Sequence, residues 1–287
     1  MRLIKKWQIA TRKDGDLITQ LLLDRGYLSQ VTQELFLNPP APGNILEDAS
    51  YTGLAREYFN QAAALIHKYI SDDRPIVIHG DYDVDGLCAT AILWKTIYRD
   101  LSYKNCQPFI PSRFDHGYGL SRESVDTILN SQLTTRFAGA SARQAHNPLR
   151  RSLSEASSQL LITVDCGITA AEAGEYAKEK GFEVLVVDHH AKPSKLPQCP
   201  ILWSEKMCAA GLAWVFSQAL LHPPGVKRGH PTGEYVELAA LATIADLQPL
   251  TGFNRSLVKF GLEEINQTKN VGLKMLIKAG GIEGKKI

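Results

Sequence analysis

Three aspartates stand at alternate positions in VIHGDYDVDG, residues 77–86, where Asp81, Asp83 and Asp85 follow His79. Carboxylates packed this closely repel one another, so something must compensate for their proximity. Further acidic and imidazole groups follow other apolar runs: Asp165 ends LLITVDC (160–166), and Asp188, His189 and His190 end EVLVVDH (183–189) and the residue after it. A further carboxylate, Asp246, lies in the otherwise apolar LAALATIADLQPL, where a charge rarely sits deep unless paired or coordinated. Converging Asp and neutral His, with Cys166 the one thiol in these motifs, suit hard or borderline divalent ions such as Mn²⁺ or Mg²⁺ rather than a structural zinc. This number of ligands fits two ions better than one. Two metals roughly 3.5 to 4 Å apart share a bridging water, lower its pKa and hold both the attacking and the leaving oxygen of a phosphoryl centre. The chemistry expected is hydrolysis of a phosphoester or phosphoanhydride. Taken singly, an Asp-x-Asp after a strand also serves as a helix cap, and a His pair is often an ordinary surface or core feature. Their coincidence at three strand ends favours the metal site.

Such convergence requires neighbouring strands that point the same way. From Arg74 onward, short β-rich runs alternate with amphipathic segments, which predicts an α/β fold whose parallel sheet is covered by helices on both faces. The expected strands are residues 75–80, 107–112, 160–166, 183–189 and 200–204, and ligands in such sheets bind beyond the carboxyl ends of the strands. Residues 1–73 read as a helical and loop-rich N-terminal region with a proline-rich connector, LFLNPPAPGN. Residues 74–250 read as the catalytic α/β domain, and 251–287 as a helical end leading toward a linker. Within the middle region, residues 131–159 lack any apolar period and carry four Arg against one Glu. The expectation is a mobile, locally basic surface insertion, with contact to nucleic acid as the alternative.

The 287 residues are 44% hydrophobic, enough for a substantial core. No apolar run approaches a membrane span and the N-terminus lacks a signal-peptide core, so a soluble, cytoplasmic protein without a membrane partner is expected. Five cysteines without a Cys-x-x-Cys pair argue against a disulfide framework and a zinc ribbon. A formal net charge of +2 neither announces nor excludes nucleic acid, so any such partner must be argued from local sites.

HGDYDVDG (79–86), SRFDHGYGLS (112–121), TVDCGI (163–168), VVDHH (186–190) and ATIADLQPLTGFNR (242–255) resemble the motifs of the DHH phosphoesterase superfamily. Within it they are similar to those of the RecJ-type exonucleases specific for single-stranded DNA, as is LLLDRGYLSQVTQELFLNPP near the start. The resemblance implies a 5′ to 3′ exonuclease that releases 5′-mononucleotides in DNA repair and recombination. It implies that His79, Asp83 and Asp165 hold one Mn²⁺ and that Asp85, Asp165, His189 and Asp246 hold the other. Asp83, Asp85, Asp165, His189 and His190 are then the catalytic set, with Asp81 orienting its loop and Asp188 positioning His189 from behind. It also implies that His190 faces the scissile phosphate and that Arg113 binds the DNA backbone or its 5′ end. Gly117 and Gly119 would permit close approach of the strand.

Two departures from the pattern stand out. The insertion leaves 80 positions between Asp85 and Asp165, and KAGGIEGKKI stops where the RecJ type continues into a DHH-associated domain and an oligonucleotide-binding fold. The expected result is a catalytic core with a weakened grip on single-stranded DNA. It would be helped by a single-strand-binding protein, a helicase or a separately encoded C-terminal half. Alternatives are a DHH phosphoesterase of small substrates (short oligonucleotides, phosphoadenosine phosphate, cyclic dinucleotides) and a non-catalytic DHH scaffold.

Overall fold

The computed structural model describes residue 11 and residues 16–130, 158–222 and 233–287. The chain forms two compact units, Met1–Pro40 and Ala41–Ile287. In the first, the helix Leu17–Asp24 is capped by Asp16, whose side chain accepts from the N–H groups of Ile18 and Thr19. The helix Gln30–Leu37 opens with a capping box between Ser29 and Thr32.

The second unit is built on five short strands: β1 (Ile76–His79), β2 (Cys106–Phe109), β3 (Gln159–Val164), β4 (Phe182–Asp188) and β5 (Ile201–Trp203). All pair in parallel, in the order β2-β1-β3-β4-β5. The expected α/β architecture is therefore present, and each expected strand is found within a residue or three of its predicted bounds. From β1 the chain first adds β2 on one side and then returns to add β3 on the other. The crevice opens at that reversal, beyond the carboxyl ends of β1 and β3.

Side-chain alternation divides the core in two. Ile76, Ile78, Leu160, Ile162, Leu185 and Val187 face a layer made by the helices Arg56–Ser71, Val84–Lys95, Ala209–Leu221 and Val236–Ala245. Val77, Leu161, Val184 and Val186 face the helices Arg122–Asn130 and Ala171–Glu179. Strands covered on both sides must be apolar throughout, which is why these run as Ile, Val and Leu rather than alternating with polar residues.

Three sequence-based boundaries move. The helix Arg56–Ser71 buries Phe59, Ala62, Ile66 and Tyr69 in the sheet's own core, so the break between units falls at residue 40 rather than 73. Leu257, Ile265 and Leu273 join the same core, which ties the helices Gly252–Ile265 and Val271–Ala279 to the α/β unit. Of the expected insertion, residues 131–157 lie outside the described residues, while its last two belong to the fold. Gln159 opens β3, the Ser158 hydroxyl is 3.0 Å from Tyr69 Oη, and the Ser158 carbonyl accepts from Arg74 Nε at 3.1 Å. Among the described residues, no helix is long and apolar enough to cross a membrane.

One helix crossing matters for the site. A Cβ placed on Gly261 would lie 2.2 Å from Ala240 Cβ and 2.8 Å from the Val236 carbonyl, so only glycine lets Gly252–Ile265 approach Val236–Ala245 this closely. Gly to Ala in an open helix gains about 0.5–1 kcal/mol, whereas overpacking costs about 1–3 kcal/mol. Gly261→Ala is therefore expected to lower the urea midpoint of unfolding. A raised midpoint would show that the crossing relaxes freely.

Candidate metal centre

The loop after β1 is shaped by its own carboxylates. Asp83 is the N-cap of the helix Val84–Lys95, its Oδ1 accepting from Gly86 N at 2.9 Å. Asp85, one residue into that helix, turns instead toward the helix Ala209–Leu221, which has no side-chain cap of its own. Its two oxygens accept from Ala209 N and Ala210 N, each at 2.7 Å. A carboxylate at an uncapped helix N-terminus satisfies open N–H groups and meets the positive end of the helix dipole. Asp81 is fully buried; its Oδ1 accepts from Tyr82 N at 2.6 Å, and its Oδ2 has no hydrogen-bond partner. Burial raises its pKa above the usual carboxylate range. Gly86 permits this packing, since a Cβ there would stand 2.5 Å from Asp81 Cβ and 2.6 Å from Asp81 N.

The next two strands deliver the remaining groups. Asp165 follows β3 directly with φ of 61°, a left-handed backbone uncommon outside glycine, while its N–H donates to the Val187 carbonyl at 3.1 Å. It is 2% exposed. Burial first, and then the charges of Asp85 and Asp83, push its pKa up to about 10. Around His189 Nε2 stand Asp165 Oδ1 at 3.2 Å, Asp85 Oδ2 at 3.5 Å and Asp246 Oδ2 at 3.9 Å. Two sets of ligand atoms thus gather tightly enough to share an ion: Asp165 with His189 and His190, and Asp85 with His189 and Asp246.

Asp188 is buried and fully engaged. Oδ2 accepts from Ile168 N at 2.9 Å, and Oδ1 accepts from His189 N at 2.7 Å and His190 N at 3.1 Å. Oδ1 also lies 2.8 Å from His190 Nδ1. Burial pushes its pKa up, but the bonds from His190 and Ile168 outweigh it and leave the carboxyl below its ordinary value. The ring Asp188 holds is therefore that of His190, not His189 as expected; His189 is held through its backbone. The same bond raises the pKa of His190.

Other expectations need revision. Asp246 sits at the C-terminal end of the helix Val236–Ala245 with its side chain 29% exposed, rather than deep in the apolar segment. His79 does not join the cluster. As an odd-numbered residue of β1 it faces the same side as Val77, where Nε2 lies 3.1 Å from Ser124 Oγ and Nδ1 lies 3.6 Å from Cys166 Sγ. Burial lowers its pKa to about 4. Asp83 is exposed and stands in neither gathered set, although its charge reaches Asp165. Arg113 is exposed with its guanidinium carbon 5.6 Å from the centre of the Tyr82 ring.

Two contacts were not foreseen. Trp203 Nε1 donates to the His190 carbonyl at 2.7 Å, and Tyr118 Oη lies 3.3 Å from His190 Nε2. The first follows from the pairing of Asp188 with Trp203 between β4 and β5, which short-range sequence does not reveal. The second was signalled by Gly-Tyr-Gly, read above only for its glycines.

The donor set fits a divalent cation. Three carboxylates around one imidazole nitrogen cannot all be ionised without positive charge, and carboxylate with imidazole is the ligand chemistry of Mn²⁺ and Mg²⁺ sites. A metal-free chain would hold Asp165 protonated between its unfolded pKa near 4 and its folded value of about 10. In that window the folded state binds the extra proton, so stability falls as pH rises. Asp165→Asn should abolish this slope in EDTA melts and also lose the rise in Tm that Mn²⁺ gives the parent chain. Retention of either in the variant would contradict the placement of charge at Asp165.

The profile of the DHH family, N-terminal domain, matches residues 75–243, a stretch that contains every site residue above except Asp246. The single-stranded-DNA-specific exonuclease RecJ of Thermus thermophilus is 37% identical over 235 residues, 79% of this chain and 30% of the relative. That of Bacillus subtilis is 31% identical over 276 residues, 92% of this chain and 30% of the relative. The crystal structure of RecJ from Thermus thermophilus in complex with Mn²⁺ superposes with a TM-score of 0.66 at 32% identity, over 94% of this chain and 34% of that one. The chain spans about 30% of the length of these two curated relatives. With the sheet order, the Asp81–Asp85 loop and the Asp188–His190 turn all inside the matched stretch, the chain belongs to the DHH family.

Proposed function

We propose that this chain is a metal-dependent phosphodiesterase that degrades single-stranded DNA from its 5′ end and releases 5′-mononucleotides, in DNA repair and recombination. The observation that carries the reading is the meeting of Asp85, Asp165 and Asp246 at the Nε2 of His189. Asp85, Asp165, His189 and Asp246 would hold one divalent ion, and Asp165 with Asp83 would hold a second, so that Asp165 is shared. The ions, Mn²⁺ or Mg²⁺, supply Lewis-acid polarisation of a phosphoryl oxygen and a water of lowered pKa. His79 is left out of this set because its ring nitrogens face Ser124 and Cys166.

The protein's own side chains do the positioning. Asp188 fixes the His190 ring through Nδ1 and stabilises its protonated form, so Nε2 can offer a proton to a phosphate oxygen. Trp203 fixes the backbone of the same residue. Arg113, exposed and forked, suits a neighbouring phosphate. The RecJ relatives are named for action on single-stranded DNA, which supports that substrate here.

The test is digestion of a 5′-labelled single strand with Mn²⁺, beside duplex DNA, RNA and phosphoadenosine phosphate. Mononucleotides should appear from the single strand first. Asp165→Ala should lose more than the roughly 10–100-fold that loss of a partner behind a metal ligand costs. Unchanged turnover in that variant, or preference for the small substrate, would overturn the reading.

A further inference from the structure

Beside the metal centre stands a group of aromatic side chains that hydrolysis itself does not use. Gly117 and Gly119 have φ of 76° and 68°, so the backbone arches over the site and presents Tyr118 between them. The Tyr118 ring is 61% exposed yet held on two sides by near-perpendicular ring contacts. These are to Tyr82 at 6.3 Å and to His190 at 6.4 Å between centroids. Its hydroxyl meets His190 Nε2, and the Arg113 guanidinium lies over Tyr82. Phe114, in the same loop, is 97% exposed. Adjoining Tyr118 and His190 is a cleft of about 330 Å³ that also reaches Cys166, Thr169 and Asp188. That is the low end of small-ligand sites, suited to one flat ring.

An exposed ring already fixed by its neighbours loses little freedom when a flat partner stacks on it. Every nucleobase offers such a face, and a guanidinium beside it suits the adjoining phosphate. In a duplex those faces are covered by neighbouring base pairs, whereas a single-stranded end leaves them free.

We infer that Tyr118, supported by Tyr82 and Arg113, is a nucleobase-stacking platform for the nucleotide whose phosphate meets His190. It makes the site selective for unpaired nucleic acid over base-free phosphoesters. This rests on the phosphodiesterase reading above and names the part of the substrate, other than phosphate, that the site recognises.

The full chain is titrated by fluorescence anisotropy, in Ca²⁺, with a 3′-labelled, 5′-phosphorylated hexadeoxynucleotide and with the same strand carrying an abasic first residue. The parent chain should bind the base-bearing strand about tenfold more tightly, within the range measured for one base stacked on one aromatic ring. Tyr118→Ala should bind both strands equally, and Tyr118→Phe, which keeps the ring, should preserve the difference. No difference in the parent, a difference that survives in Tyr118→Ala, or one lost in Tyr118→Phe would each overturn the platform. Mn²⁺-dependent cleavage of the same strands separates the two claims. A base-dependent affinity without cleavage keeps the platform and removes the hydrolase, while cleavage without that affinity does the reverse.

Discussion

Mutual repulsion among buried carboxylates is the constraint that organises this molecule. Two like charges about 4 Å apart cost about 4 kcal/mol at an effective dielectric of 20, against roughly 1 kcal/mol for a typical net hydrogen bond. The two backbone N–H groups that Asp85 accepts from the helix Ala209–Leu221 therefore cannot offset its neighbourhood with Asp165. Positive charge between them can. The raised pKa of Asp165 and the unpartnered Oδ2 of Asp81 are two signs of the same imbalance.

The fold delivers the groups that create this problem. Parallel strands in the order β2-β1-β3-β4-β5 put the carboxyl ends of β1, β3 and β4 side by side, so Asp85, Asp165 and His189 arrive at one edge. The helices complete the assembly. Ala209–Leu221 orients Asp85 from its N-terminus, and Val236–Ala245 brings Asp246 from its C-terminus, pressed into place at Gly261. Asp188 gives up any place among the ligands and spends both oxygens on holding the turn that carries His189 and His190.

Much of this was legible in the sequence because it is local. Continuous apolar runs marked the buried strands, and Asp81 to Asp85, Asp165 and Asp188 to His190 lay where strands end. What escaped depends on direction or distance. His79 was grouped with the aspartates by proximity along the chain, but strand alternation turns its ring with Val77 toward Ser124. Asp246 was judged buried from apolar neighbours, yet it is the first residue past a helix end and meets solvent. The boundary at residue 73 failed because the helix Arg56–Ser71 packs on strands that come later, a long-range fact its own periodicity does not encode. Trp203 was invisible for the same reason: its bond to His190 exists only through the register of β4 with β5.

A carboxylate cluster that demands cations makes one prediction free of any substrate. Equilibrium dialysis of the full chain against Mn²⁺, with electron paramagnetic resonance on the loaded protein, should give two bound ions per chain with the broadened spectrum of a coupled pair. One isolated ion, or none, would contradict the account and leave the close approach of Asp85, Asp165 and Asp246 without its physical cause.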